Sequence, residues 1–451
     1  MRKVVKIIGA EYLNLETAIV CLVGALVFVW PIPHTNAIRY MLIAILSVFV
    51  GYLYLKRFDI KKLFFERTTL FFSSILIVLT IWLYIVAIFL CDYTVHSLEE
   101  INSQWLLSVF CFFLGLALAN IAASKTNILL AVFAAVLLHV LYIFFEAFWL
   151  FYESGELQDK LKGLTNGRDR ANVLTNIAIA ILLSEIFFRT IYHKRILPLN
   201  WTFIFLATAL SFISLFFEGA RLGIVGVFFM FFTLTALALY ALKQNKNRFS
   251  LLMMTLFASL IALSLLAANI KRDERWNNLF ETIAIAVDIE THKAWIDTKL
   301  YPLPKLKDGN VVNDSNYERP AWIAAGISFI AESPLGSGFA RDAFGLYRTN
   351  KYKEGSPTRA SHSSLIDFGV GGGVIMVVGW TIFLLGLSFV GLRGFMQRQD
   401  YYSLLLLFLT GGFFFRMCID GVARDHMLEE FMFLAALFLA FAGSRQCKSG
   451  A

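Results

Sequence analysis

The chain alternates long apolar runs with short polar connections. The apolar runs fall at about 15–33, 36–55, 69–90, 104–124, 127–150, 172–191, 199–217, 221–242, 249–269, 364–392, 400–418 and 427–443. Each approaches the length a helix needs to cross a bilayer, roughly 20 residues. A single apolar segment can satisfy its own backbone in lipid only as a helix or as part of a closed barrel. The pattern predicts an all-α, polytopic membrane protein with about 12 transmembrane helices.

One interval breaks the alternation. Residues 270–363 are polar and charged, opening on Lys271, Arg272, Asp273, Glu274 and Arg275 and closing on Arg359-Ala360-Ser361-His362-Ser363. The chain is therefore expected to divide into helices 1–9 (residues 1–269), one large loop (270–363) and helices 10–12 with the C-terminal tail (364–451). Inside the loop, Tyr317–Glu332 carries Trp322, Ile323, Ile327 and Ile330 at helical spacing. This predicts a short interfacial helix, lying on or dipping into the membrane surface. Pro334 ends it, and the following SPLGSGF reads as a glycine-rich turn.

Composition supports the membrane reading: 58% of residues are hydrophobic, 16% aromatic and 16% charged, against about 25% charged in soluble proteins. The formal charge of +8 follows from where the basic residues lie. Every second connection is basic: Lys56, Arg57, Lys61, Lys62 and Arg67 in one, then Lys125, then Arg189, Lys194 and Arg195, then Lys243, Lys246 and Arg248, then Arg393 and Arg398. With Arg2, Lys3 and Lys6 at one end and Arg445 and Lys448 at the other, the positive-inside rule places both termini in the cytoplasm. No aromatic-interleaved basic patch points to nucleic acid. The large loop then lies on the far side, with the connections 91–103, 151–171, 218–221 and 419–426. The N-terminal segment has no small-residue cleavage site and reads as a retained first span. Five cysteines form no CxxC pair, so neither a zinc site nor a disulfide framework is indicated.

Candidate chemistry gathers on that far side. Glu218 and Arg221 open a span in Glu218-Gly219-Ala220-Arg221; they are either a local pair at the interface or groups facing a cavity. Arg319 precedes the Trp322 helix and suits either a lipid headgroup or a bound phosphate. Arg341 and Arg348 follow in the same loop. His362 stands at the mouth of a span, as a capping or interfacial histidine or as a proton acceptor near neutrality. Ser361 or Ser363 could cap the next helix, and Gly371-Gly372-Gly373 permits close backbone approach. A fourth stretch, from Arg416 to Glu430, packs Asp420, Arg424 and Asp425 into a short connection, where Arg–Asp pairing could simply fold the turn. No DxD, HExxH, GxSxG or Walker-type signature accompanies these residues. Arginine charge with one histidine base suits a substrate that brings its own activated leaving group, such as a sugar on a diphosphate.

Taken together, these motifs resemble the bacterial O-antigen ligase and polymerase superfamily, and within it the ligase of lipopolysaccharide assembly (WaaL type). The family pattern combines about a dozen spans, a late large loop, and a histidine followed by Asn, Ser or Gln with a glycine eleven residues on; His362, Ser363 and Gly373 match it. The small residue expected three positions later is Met376 here. Arg221 in EGARLGIVG and Arg319 ahead of the PLGSG turn resemble family arginines, and the resemblance covers about Lys162 to Phe441. It implies a GT-C-like, metal-independent, inverting glycosyltransferase of the inner membrane that needs no cofactor and works on the periplasmic face. Its donor would be a glycan on undecaprenyl diphosphate, its acceptor the lipid A–core, and its surroundings membrane lipids. His362 would be the base, with Arg221 and Arg319 on the diphosphate. Glu218, Arg341, Arg348, Ser363, Asp420, Arg424 and Asp425 would line the substrate cavity. The O-antigen polymerase and the protein O-oligosaccharyltransferase share the donor and differ in acceptor.

Overall fold

The computed structural model describes residues 2–57, 67–121, 124–158, 160–165, 167–219, 221–242, 278–353 and 360–443, with isolated positions at 260, 264 and 267. Side chains are not described at residues 2–14, 57, 221, 241, 242 and 425. Among the described residues there is no strand, and the chain is an all-α, multi-pass membrane protein. In order the helices are α1 (Arg2–Val29), α2 (Asn36–Arg57), α3 (Arg67–Phe89), α4 (Thr94–Glu100), α5 (Leu107–Ile121), α6 (Lys125–Ser154), α7 (Arg168–Ile191), α8 (Trp201–Glu218) and α9 (Arg221–Leu242). After the large loop, with α10 (Leu279–Ala286), α11 (Asp314–Glu332) and α12 (Ala343–Tyr352), come α13 (Ser364–Arg398), α14 (Tyr401–Ile419) and α15 (Asp425–Gly443). A π-helical turn, Ile101–Leu106, joins α4 to α5 into one span.

Ten helices among the described residues are long and apolar enough to cross a membrane, and α1 adds the shorter apolar stretch Leu15–Val29. These correspond to eleven of the apolar runs; the ninth, 249–269, lies outside the described residues apart from its three isolated positions. Side-chain caps set several boundaries. Asn200 accepts from the Phe203 amide at 2.7 Å to start α8, and Gly219, at φ 57°, ends it. Asp400 accepts from the Ser403 amide at 2.8 Å to start α14. Each cap satisfies a backbone donor that the first helical turn leaves over.

Burial ranks the helices. In α7 and α15, 89% of the membrane-length window is buried, against 33% in α2, α8 and α13. The first two are the axis of the bundle and the others face outward. Small residues let the backbones close: a Cβ on Gly115 of α5 would strike the Phe433 carbonyl of α15, and one on Gly391 of α13 would lie 2.8 Å from the Ser403 carbonyl of α14.

The large loop builds its own apolar cluster from Trp295, Tyr317, Trp322, Phe329 and Phe344, and Ile366 and Val370 of α13 join it. The expected helix before Pro334 is present as α11, capped by Asn313. Its buried face is Tyr317, Ala321, Trp322, Ala325 and Phe329, whereas Ile327 is 58% exposed. α11 therefore buries its aromatic stripe against α10 and α13, so that stripe is packed in protein and not turned to the bilayer.

α13 is broken where the glycines fall. Gly373 has φ 70° and ψ −169° within the helix, a conformation essentially confined to glycine. The turn after α11 fills the break. Ser337 and Gly338 donate their amides to Val370 and Gly371 carbonyls, each at 3.0 Å, and Val374 donates to the Pro334 carbonyl at 2.9 Å. Trp82 of α3 donates its indole N–H to the Gly372 carbonyl at 2.7 Å. Hydrogen-bonding groups that an unbroken helix would pair internally are thus paired by the loop and by a neighbouring span.

Candidate active site

His362 stands on a tight turn immediately before α13. Its backbone is left-handed, at φ 56°, which is uncommon for a residue with a Cβ. Ser363 is the N-cap: its hydroxyl accepts from the Ile366 amide at 3.4 Å and donates to the Met417 carbonyl of α14 at 3.1 Å. Ser361 accepts from the Ser363 amide at 3.1 Å and donates to the Ser363 carbonyl at 2.8 Å. The imidazole, half-buried, lies flat on Trp322 of α11, with centroids 5.5 Å apart and planes at 9°. Trp322 is itself fixed by its indole N–H, which donates to the Trp295 carbonyl at 2.9 Å. The loop and α13 thus hold the histidine between them.

The connection between α14 and α15 packs beside this turn. Ser364 donates both its amide and its hydroxyl to the Asp420 carbonyl, at 3.0 and 3.1 Å, and accepts from the Ala423 amide at 2.8 Å. The Asp420 carboxyl is buried, with its Oδ1 taken by the Gly421 amide at 2.8 Å. Burial and the neighbouring Asp169 carboxylate push it above its usual range, while Arg416 and Arg319 pull it back. Arg319 therefore acts electrostatically on Asp420 across the gap between loop and bundle. Arg424 folds over Gly421 and acts in the same way on Asp367.

From Asp420 a polar chain runs into the bundle. Arg416, 5% exposed, donates to Asn172 Oδ1 and to the Asp169 carbonyl, the latter at 3.2 Å. The Asn172 amide donates to Glu218 at 2.7 Å, and Thr175 donates to the other Glu218 oxygen. Glu218 has no solvent exposure. α9 accommodates this chain with glycines: a Cβ at Gly223 would collide with Asn172, and one at Gly226 with Asn176.

The sequence candidates are therefore distributed as follows. His362, Ser363, Arg319, Asp420 and Arg424 form one neighbourhood, and Glu218 reaches it through Asn172 and Arg416. Arg221 begins α9 beside Glu218, and Asp425 begins α15; both side chains lie outside the described residues. Arg341 pairs with Glu100 at the end of α4, at 2.9 Å. Arg348 is 2% exposed inside the loop cluster, with Nη1 3.4 Å from the Trp295 carbonyl. The sequence reading missed Glu100, Asp169, Asn172, Thr175, Asp367 and Arg416 as parts of the site. A signal was available for two of them: Asn172 and Thr175 share a helix face with Asn176 in the first turns of a membrane-length helix.

Among the described residues no group of three or more His, Cys, Asp and Glu side chains is arranged to hold a metal ion. The arrangement joins one imidazole, fixed by stacking and turn geometry, to guanidinium groups on three separate segments.

The family model described as O-antigen ligase matches residues 204–384, a span that contains Glu218, Arg221, Arg319 and His362. No curated protein matches the chain. Over these residues the chain is similar to the O-antigen ligase family.

Proposed function

We propose that the protein is an O-antigen ligase of the WaaL type. It takes a glycan from undecaprenyl diphosphate and transfers it to a sugar of the lipid A–core. The reaction runs at the periplasmic face of the bacterial inner membrane, with both chain termini cytoplasmic. Residues 1–269 and 364–451 supply the membrane body, and residues 270–363 cover the site as a lid.

In this reading His362 accepts the proton of the acceptor hydroxyl while that oxygen bonds to the anomeric carbon. The bond from that carbon to the diphosphate oxygen breaks, with inversion. Arg319 and Arg221 bind the diphosphate and stabilise the negative charge it carries away. Asp420 orients Arg319. The observation that carries the reading is the stack of His362 on Trp322, one turn of α11 from Arg319, whose charge acts on Asp420. In this reading it sets a proton acceptor beside an anion binder carried on a different element.

Deletion of the gene, followed by gel analysis of lipopolysaccharide, tests the reading. A core without polymer, with lipid-linked polymer accumulating, is the expected result. A core bearing a single repeat unit would instead make the protein a polymerase. An unchanged core with loss of glycan from a protein would make it a protein O-oligosaccharyltransferase. In the restored strain, His362→Ala should abolish ligation while the protein remains inserted; full ligation by that variant would remove the base.

A further inference from the structure

Behind His362 lies a carboxyl group that the chemistry above does not use. Asp367 is on the first turn of α13 and is 6% exposed. Its Oδ1 accepts from the Ser361 amide at 3.1 Å, which closes a ring from Ser361 to Asp367 with His362 inside it. An acidic group near a helix N-terminus is favoured by the helix dipole. Arg424, from the α14–α15 connection, attracts it electrostatically, and Asp342, at the start of α12, repels it. Gln104, Arg341, Ser364 and Arg424 share a small cavity with it.

The ring explains how His362 keeps a left-handed backbone. The Ser361 hydroxyl bonds the backbone of Ser363, and the Ser363 hydroxyl bonds Met417 and Ile366. Asp367 restrains the segment before the histidine through the bond from the Ser361 amide.

We propose that Asp367 is a positioning residue: it holds Ser361, and through Ser361 it keeps the His362 ring flat on Trp322. The inference rests on the reading of His362 as the base. Asp367 touches neither donor nor acceptor. It acts on the direction in which the imidazole points, so its removal should lower kcat and leave the KM for the lipid-linked donor unchanged.

Two variants separate shape from charge. Asp367→Asn keeps an oxygen for the Ser361 amide; Asp367→Ala does not. In a transfer assay with purified protein, lipid-linked donor and lipid A–core acceptor, Asp367→Ala should lose about 10–100-fold in kcat, the scale of loss for a misdirected reacting group. Asp367→Asn should retain most of the rate. The second measurement is independent of activity: carbethoxylation of histidines by diethyl pyrocarbonate, followed by peptide mass spectrometry. In Asp367→Ala the rate at His362 should rise severalfold, with buried His139 as slow as in the parent protein. Asp367→Asn should leave both rates unchanged. Parental reactivity at His362 in Asp367→Ala would overturn the proposal. So would a parallel rise at His139, which would make Asp367 a support of the whole fold. If His362→Ala transfers glycan normally, the base reading fails, yet the reactivity of His362 in Asp367→Ala still decides the positioning claim.

Discussion

Replacing Gly373 by alanine probes the junction between the large loop and α13. Gly373 sits at φ 70° and ψ −169°, where a residue with a Cβ is strained by about 1–3 kcal/mol. The added methyl would also lie within contact distance of the Pro334 carbonyl oxygen, the Leu335 carbonyl carbon and the Gly336 nitrogen. All three are backbone atoms, so the turn must shift. Shifting it breaks the bonds from Ser337, Gly338 and Val374, at about 1 kcal/mol each. The sum is about 4–6 kcal/mol against the docked turn, roughly a 10³-fold or greater rise in the population of the undocked state. Hydrogen exchange in detergent, read at the amides of Ser337, Gly338 and Val374, measures this directly. Those amides should lose protection while those of α7 keep theirs, and glycan transfer should fall with them. Gly412→Ala is the control, because a Cβ at that helical position meets nothing within 4 Å. Parental protection and activity in Gly373→Ala would refute the reasoning.

Three further outcomes are expected. Asn172→Ala removes one partner from Glu218 and one from Arg416; thermal unfolding in detergent should report a loss of about 2–4 kcal/mol. Trp322→Leu takes away both the face on which His362 lies and the bond to Trp295, so transfer should drop severely while donor binding, measured by equilibrium retention, changes little. Glu332 is held below the usual carboxylate range chiefly by its hydrogen bond from Lys351, at 2.6 Å. Its contribution to docking α12 on α11 is therefore present above the unfolded value of about 4.3 and is lost as pH falls through the lower folded value. Protease sensitivity of the loop should be flat from neutrality down to that window and rise below it, and Glu332→Gln should abolish the rise.

The apolar runs made the spans legible because each crosses the bilayer alone and must carry its own hydrophobicity. The break in α13 was half legible: three successive glycines announce close approach, but only the fold shows that the PLGSG turn is what approaches. His362, Arg319 and Ser363 were singled out because they sit at polar-to-apolar boundaries, where a charged or capping residue is conspicuous. The pairing of Asn172 with Arg416 was not legible, since it spans 244 residues and nothing in either local stretch names the other. Asp367 was passed over because it looks like ordinary helix-start chemistry; its role depends on the turn bending back to meet it. Trp322 and Ile327 were read together on one interfacial helix because apolar spacing cannot say which of its stripes meets protein.

The buried chain from Glu218 through Asn172 to Arg416 also dictates an order of events during synthesis. Asn172 and Glu218 enter the bilayer with α7 and α8, and the guanidinium that completes them arrives on α14, up to 244 residues later. At about 5–20 residues per second, that is a wait of roughly 12–50 seconds. Through that interval α7, which ends as one of the two most enclosed helices, has neither α14 nor α15 against it. Its first half must stay associated with whatever receives newly made membrane helices until α14 emerges. Chains stopped before Arg416 should accordingly be held by the insertion machinery and degraded, even though every span they contain is apolar enough to insert.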